Sequence, residues 1–132
     1  MKILLYMLVL AYAQGLAQNA PVYKDVSVKE FKLKMDNTPD AFILDLRTDD
    51  ELKEHGTMPK ARQVDYFARN FEDVINTLDK EKPYLIFCAS GIRSSETSAL
   101  MKKLGFREVY NLESGFNAWK KAKMPVVPFI TP

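Results

Sequence analysis

The chain has 132 residues, enough for one domain of ordinary size, and its 19 basic and 17 acidic residues give a formal net charge of +2. A chain so close to neutral lacks the broad positive surface that binds nucleic acid, so we expect no nucleic-acid partner. Its single cysteine cannot form an internal disulfide. That thiol is therefore either a small buried apolar side chain or a reactive group, and composition does not choose between them.

The first seventeen residues have the composition of a secretory signal peptide. A lysine at position 2 precedes an uncharged apolar run over residues 3–13, and small residues favour cleavage after Ala13 or Ala17. The apolar run is too short to span a bilayer comfortably, although an uncleaved anchor is the alternative. We predict a leader at 1–17, no stable membrane anchor after cleavage, and an exported protein that is periplasmic or secreted.

Strand-like and helix-like segments alternate after the leader. Two capping-box patterns, Ser27 with Glu30 and Thr48 with Glu51, predict where helices begin. The predicted elements of this half are an edge strand at Val22–Lys24, a helix from Val28 to about Met35, a buried strand at Ala41–Leu44, a short helix after Thr48 and a small strand at Arg62–Val64.

The second half continues the alternation with longer elements. They are a helix at Asn70–Leu78, a buried strand at Tyr84–Phe87, a helix at Ser94–Leu104 that Gly105 ends, a strand at Val109–Leu112 and a helix at Asn117–Lys121. This pattern predicts one open α/β domain over residues 22–128 with a mainly parallel sheet. Ligands of such sheets bind beyond the carboxyl ends of the strands, and Cys88 falls at such an end.

The cysteine opens a glycine-containing loop between a buried strand and a helix. Gly91 permits a tight turn, and the small Ala89 and Ser90 leave the mouth of the loop open. Backbone N–H groups of the turn and the positive end of the following helix favour an anion above the thiol. Such surroundings favour the thiolate, so the sequence predicts a nucleophilic Cys88 whose product is also anionic.

Two chemistries use such a cradle, namely sulfur transfer through a cysteine persulfide and phosphoryl transfer through a cysteinyl phosphate. Cysteine phosphatases have five residues between the cysteine and an arginine, whereas four lie between Cys88 and Arg93. Ser94 stands where a phosphatase requires arginine, and Phe87 stands where it carries histidine. The smaller loop favours sulfur transfer, and a cysteine phosphatase or arsenate reductase is the less favoured alternative.

Four segments in order around this loop resemble a single-domain rhodanese, over about residues 24–127. CASGIRS resembles the active-site loop of that family, and DLRTDDEL at Asp45–Leu52 resembles its D-V-R-x-x-x-E-F segment. GTMPKA at Gly56–Ala61 resembles G-H-I-P-G-A. GFREVYNL at Gly105–Leu112, with Gly115 and Trp119, resembles the closing G-F-x-x-V-x-x-L-x-G-G-x-x-x-W.

The resemblance implies a rhodanese-like fold, with a five-stranded mainly parallel sheet flanked by helices on both faces. It implies that catalytic Cys88 takes sulfane sulfur from a donor and passes it to a thiol, a cyanide-like acceptor or a protein. Many active members carry a basic residue at the position of Ala89. A persulfide or polysulfide donor is therefore as plausible here as thiosulfate. We expect no metal and no organic cofactor.

The loop residues are expected to hold the persulfide, with roles that the sequence leaves open. The expected substrate-binding residues are Ala89, Ser90, Gly91, Ile92, Arg93, Ser94 and Arg47. Arg93 either steers an anionic donor or braces the loop against a carboxylate. Ser94 is expected to be the helix N-cap, with a hydrogen bond to the outer sulfur as the alternative. Arg47 is expected to pair with Asp45, with substrate contact as the second interpretation.

A second class of function also stays open at this stage. A non-catalytic rhodanese-like module would need no reactive cysteine, and the intact Cys88 argues against it. A persulfide carrier that hands sulfur to a partner protein would retain that cysteine. Turnover with a small acceptor would distinguish an enzyme from a carrier.

Overall fold

The computed structural model describes residues 2–9 and 20–131. Residues 2–9 are helical and exposed, and the predicted cleavage positions after Ala13 and Ala17 lie outside the described residues. Among the described residues, no helix has both the length and the apolar composition needed to cross a membrane.

Five parallel strands form the sheet within residues 20–131, as the resemblance implied. They are β1 (Val22–Val26), β2 (Phe42–Asp45), β3 (Ala61–Gln63), β4 (Pro83–Phe87) and β5 (Glu108–Leu112), in the spatial order β1-β5-β4-β2-β3. All four neighbouring pairs are parallel. Strand β4 lies at the centre of the sheet, so the chain that leaves its carboxyl end emerges between flanking strands.

Helices cover both faces of this sheet. In the same segment they are α1 (Val28–Asn37), α2 (Asp49–His55), α3 (Phe71–Thr77), α4 (Ile92–Lys103) and α5 (Gly115–Lys121). Every residue of β4 is buried, and its side chains alternate between two apolar clusters. Ile86 packs with residues of α3 and α4, whereas Phe87 packs with residues of α1 and α5. Continuous apolar runs suit strands that are buried on both sides.

Most predicted elements are confirmed within one or two residues, and the differences occur at their ends. β3 begins one residue earlier than predicted, and α5 begins at Gly115 rather than Asn117. Helix α4 begins at Ile92, so the expectation that Ser94 is its N-cap is wrong. Gly91 occupies the cap position with a φ of 97°, and the turn it allows starts the helix earlier.

A buried ion pair closes the end of β2. Arg47 donates from Nη2 to Asp45 Oδ2 at 2.7 Å and from Nε to Asp45 Oδ1 at 3.0 Å. Its Nη2 also donates to the carbonyl oxygen of Gly56 at 2.7 Å, and Thr57 Oγ1 donates to Asp45 Oδ2 at 2.7 Å. Asp45 is 0% exposed and Arg47 is 1% exposed. The Arg47 guanidinium carbon lies 3.9 Å from the Phe116 ring centroid, which ties β2 to α5.

Replacement of Arg47 is expected to destabilise the protein strongly. Arg47→Met leaves the Asp45 carboxylate buried without its cation, which costs about 3–5 kcal/mol of unfolding free energy. The matched control is Lys32→Met, because Lys32 pairs with Asp36 at 2.6 Å on the surface. An exposed pair of that kind contributes at most about 1 kcal/mol. Urea unfolding of both variants measures the difference, and similar small losses would contradict the structural role of Arg47.

Candidate functional site

Cys88 lies directly beyond the central strand, and the start of α5 holds its loop in place. Phe116 N donates to the carbonyl oxygen of Cys88 at 2.8 Å, and Asn117 N donates to that of Ala89 at 3.0 Å. Gly115 makes this approach possible, because a Cβ there would lie 2.3 Å from the Ala89 oxygen. The first N–H groups of a helix lack hydrogen-bond acceptors within the helix. Here the carbonyl oxygens of the loop are those acceptors.

Gly91 gives the loop its closed shape. Its φ of 97° lies in the left-handed region, and a Cβ at this position would lie 1.9 Å from the carbonyl oxygen of Glu113. A residue with a side chain would therefore be strained and would also push the loop away from the segment after β5. The same turn aims Gly91 N at the sulfur of Cys88, 3.2 Å away.

Hydrogen-bond donors converge on Cys88 Sγ. Besides Gly91 N, the backbone N of Ser94 lies 3.4 Å from the sulfur, and Ser94 Oγ also lies 3.4 Å from it. Ser94 Oγ is in addition 3.2 Å from the carbonyl oxygen of Gly91. A hydroxyl has one proton, so it can donate to that carbonyl while it accepts from the thiol. When the thiol ionises, rotation of the hydroxyl supplies a further donor to the sulfur.

These contacts favour the thiolate of Cys88 in spite of its burial. Burial by itself raises the pKa of the Cys88 thiol, because the charged form loses hydration. Hydrogen bonds from the Ser94 side chain and from the N–H groups of Ser94, Gly91 and Ser90 act in the opposite direction. The hydrogen bonds outweigh burial, and the pKa of Cys88 lies below its ordinary value.

Arg93 lies beside the sulfur and is also held by a carboxylate. Its Nη1 and Nη2 donate to Glu51 Oε2 and Oε1 at 2.9 and 2.7 Å, a bidentate pair. The hydrogen bond to Glu51 contributes most to the raised pKa of Arg93, and the nearby Cys88 side chain adds to the effect. The bidentate pair agrees with the interpretation that Arg93 braces the loop against a carboxylate, whereas contact of Arg93 with an anionic donor stays a prediction.

The remaining residues of the expected site fall into two groups. One group lies at the mouth of the loop, and the other is buried and supports the loop from within the protein. Ser90 and Ile92 are exposed at the mouth, and Ala89 is half-buried. Cys88 itself is 0% exposed, so the sulfur lies beneath the loop surface. Arg47 is sealed in its ion pair with Asp45, and these contacts favour the structural interpretation of that residue.

Sequence reasoning missed two features of the site. Glu51 was recognised only as the end of a capping box, and the box is present, with Thr48 N donating to Glu51 Oε2 at 2.9 Å. The same carboxylate pairs with Arg93, 42 residues further along the chain. The anchoring of the loop by α5 was also missed. One indication of the Glu51–Arg93 contact was available in the sequence. A glutamate in one motif segment and an arginine in another had no assigned partner of opposite charge.

The chain belongs to the rhodanese-like family. The sequence model of the rhodanese-like domain family matches residues 27–122, which is most of the chain. The fold and the cysteine loop described above agree with that assignment.

Relatives of this chain include sulfurtransferases. YtwF of Bacillus subtilis is 32% identical over 102 residues, which cover 77% of this chain and 95% of YtwF. The thiosulfate sulfurtransferase GlpE of Coxiella burnetii is 31% identical over 99 residues, 75% of this chain and 89% of the relative. Among solved structures, a rhodanese-like domain protein of Staphylococcus aureus superposes with a TM-score of 0.63 at 30% identity. That match covers 73% of this chain and 90% of the other. The chain is therefore a rhodanese-family protein related to enzymes that transfer sulfur.

Ser94→Ala is expected to raise the pKa of Cys88, because it removes the hydroxyl that can donate to the thiolate. Loss of one hydrogen bond lowers the thiolate fraction near neutral pH about fivefold. Ultraviolet absorbance of the thiolate during a pH titration measures the change. Ser98→Ala, one turn further along α4, serves as the control and should titrate like the wild type. An unchanged titration in Ser94→Ala would contradict the role of its hydroxyl.

The Glu51–Arg93 pair is expected to make stability depend on acid pH. The hydrogen bond from Arg93 is the main cause that lowers the pKa of Glu51 from 4.5 to about 2. A carboxyl group with a lowered folded-state pKa contributes stability that is complete above its unfolded pKa and disappears as pH falls towards the folded value. Urea unfolding between about pH 5 and pH 2 should therefore show a shallower loss in Glu51→Gln than in the wild type. Parallel curves for the two proteins would refute this assignment.

Proposed function

We propose that this protein is a sulfurtransferase that carries sulfane sulfur as a persulfide on Cys88. The observation that carries the proposal is the convergence of Gly91 N, Ser94 N and Ser94 Oγ on one sulfur atom. These donors stabilise negative charge at the sulfur before reaction and can hold a charged terminal sulfur after it. Relationship to sulfurtransferases at about 30% identity supports the same conclusion.

In the first stage the Cys88 thiolate attacks the outer sulfur of the donor. A new S–S bond forms at Sγ, and the bond between the donated sulfur and the rest of the donor breaks. The leaving group departs with the electron pair, as sulfite from thiosulfate or as a shortened chain from a polysulfide. Charge is conserved, and the product on the protein is an anionic persulfide.

In the second stage an acceptor attacks the outer sulfur of the persulfide. The bond to Sγ breaks and Cys88 leaves as a thiolate, which returns the protein to its starting state. A lowered pKa helps this departure, because a thiol of lower pKa is a better leaving group. Donor and acceptor thus react in turn with the same atom, and ping-pong kinetics follow.

The mouth of the loop favours a slim donor. Glu51 neutralises Arg93, and Ala89 and Ile92 bring no charge to the mouth. The side chains at the mouth therefore add little attraction for any anionic donor, and the shape of the donor decides the preference. The sulfur is also covered, which favours a narrow chain of sulfur atoms over a bulky tetrahedral ester. We accordingly expect Cys88 to react better with a persulfide or polysulfide than with thiosulfate, and better with any of these than with a phosphate ester.

A persulfide carrier for a partner protein is the second candidate. Ile92 at the mouth is 68% exposed, and Phe67 is 66% exposed while its ring lies 5.5 Å from the Arg93 guanidinium carbon. Two large exposed apolar side chains beside a reactive cysteine suit contact with a protein acceptor. Export to a periplasm or to the outside of the cell is part of our proposal, supported by the composition of residues 1–17.

Intact-protein mass measurement tests the persulfide directly. After exposure to polysulfide, and separately to thiosulfate, the protein is expected to gain the mass of one sulfur atom, with the larger yield from polysulfide. Cys88→Ser is the matched control and should gain nothing. Failure of both donors to load the wild-type protein would overturn the proposal.

Release of the loaded sulfur distinguishes the two candidates. Repeated turnover with cyanide or a small thiol identifies an enzyme, whereas loading without such turnover identifies a carrier. Hydrolysis of a phosphate ester that depends on Cys88 would instead favour the phosphatase alternative.

A further inference from the structure

A pocket lies against the outer side of the cysteine loop. It has a volume of about 430 Å³ and lies between the carboxyl ends of β1 and β5 and the first turn of α4. Three loop residues, Ser90, Gly91 and Ile92, form part of its wall. Gly91 therefore contributes both to this pocket and, through its N–H, to the contact with Cys88 Sγ at 3.2 Å. The pocket and the Cys88 sulfur therefore share Gly91 as a neighbour.

The walls of this pocket are acidic. Asp25 comes from β1, Glu113 follows β5, and Glu96 lies in α4. Of the described residues that line the pocket, none is basic. The nearest lysine in sequence to Asp25, Lys24, pairs with Glu30 at 3.2 Å. The pocket therefore favours a cation, whereas the other side of the same loop favours an anion.

A buried side-chain oxygen in the pocket wall has no hydrogen-bond partner among the described residues. Asn111 is 1% exposed, and its Nδ2 donates to Asp25 Oδ1 at 3.0 Å. This bond fixes the orientation of the amide, since the reverse orientation would set its oxygen against the carboxylate. The Oδ1 atom is then left without a donor. Buried acceptors are nearly always satisfied, so an unsatisfied one points to a group that supplies N–H donors.

We propose that this pocket binds the ammonium group of a small aminothiol, the acceptor of the sulfur carried by Cys88. The inference rests on the proposed function and specifies its acceptor. An ammonium group has three donors and no acceptor, which matches the carboxylates of Asp25 and Glu113 together with Asn111 Oδ1. A short spacer then carries the thiol over the Ser90–Gly91 rim to the outer sulfur, which lies about 2 Å beyond Sγ. Cysteamine and cysteine have this arrangement of groups.

The transfer step balances without a further reactant. The acceptor thiol passes its proton to the outer sulfur of the anionic persulfide, and the acceptor sulfur then forms a bond to that outer sulfur. The bond between that outer sulfur and Cys88 Sγ breaks, and Sγ keeps the electron pair as thiolate. The acceptor leaves as a persulfide that retains its ammonium group. No external oxidant or reductant is consumed.

Binding can be tested without any sulfur chemistry. The probe is 2-(methylthio)ethylamine, a thioether that cannot accept sulfur, and the matched neutral probe is 2-(methylthio)ethanol. We expect the amine alone to shift the amide resonances of Ser90, Gly91 and Ser95 of the wild-type protein in a saturable way. Asp25→Asn combined with Glu113→Gln should weaken this binding about tenfold or more, because two charged partners are lost.

Asp40→Asn is the matched control for these substitutions, because Asp40 is exposed and precedes β2, at the amino ends of the strands and away from the pocket. Binding of the amine to this variant should equal that of the wild type. Equal shifts with the amine and the alcohol, or no shifts with either, would overturn the ammonium site. Saturation by sodium or potassium ions at similar concentrations would also overturn it, because the pocket would then hold a simple cation.

The second measurement follows the release of sulfur from preloaded protein. Rates with cysteamine and with 2-mercaptoethanol are compared at equal thiolate concentration, and the wild-type ratio should be about tenfold in favour of cysteamine. The ratio should fall towards one in the double variant and stay unchanged in Asp40→Asn. A ratio near one in the wild type would refute the aminothiol acceptor.

The two measurements also separate this inference from the proposed function. If the protein never loads sulfur but binds the amine at the pocket, the sulfurtransferase proposal fails and the ammonium site stands. If the protein loads and releases sulfur without preference for the amine, the ammonium site fails and the sulfurtransferase proposal stands.

Discussion

The convergence of N–H donors on Cys88 Sγ is the constraint on which the site depends. Because the donors belong to the backbone, their positions follow from the path of the loop rather than from side-chain rotamers. That path is fixed on one side by the approach of Gly91 to the Glu113 carbonyl. On the other side it is fixed by the N–H groups of Phe116 and Asn117. The segment that follows β5 thus shapes a site whose cysteine lies at the end of β4.

A single carboxylate connects this loop to the other half of the sheet. Glu51 completes the capping box of α2 and also holds both terminal nitrogens of Arg93 in α4. The first turns of two helices, which follow neighbouring strands, are therefore fixed to one another. Below this contact, the buried Asp45–Arg47 pair fixes the end of β2 and reaches α5 through Phe116. These charged residues lie in the segments that resemble the family's motifs. Their contacts with one another stabilise the geometry of the loop.

The parts of the structure that depend on local sequence were predictable, and those that depend on distant contacts were not. The apolar run at Tyr84–Phe87 predicted a buried strand, and the glycine after Cys88 predicted a tight turn. Helix α4 began earlier than Ser94 because the left-handed Gly91 acts through backbone geometry, which has no capping side chain to recognise. The Asn111–Asp25 contact joins residues 86 positions apart. Only the pairing of β1 with β5 brings those two side chains together.

One side of the cysteine loop favours an anion and the other side favours a cation, and the proposed sulfur transfer gives a reason for both. In the proposed reaction, donors that stabilise the Cys88 thiolate would also stabilise it as the leaving group, so one set of hydrogen bonds would serve both stages. The same field attracts any anion, including an acceptor thiolate, but the anionic persulfide of the proposed reaction would repel that acceptor. An ammonium group held by Asp25 and Glu113 would offset this repulsion, because the acceptor would arrive with its own positive charge. The carboxylates lie outside the set of donors around the sulfur, so they would attract such an acceptor while the hydrogen bonds that favour the thiolate stay in place.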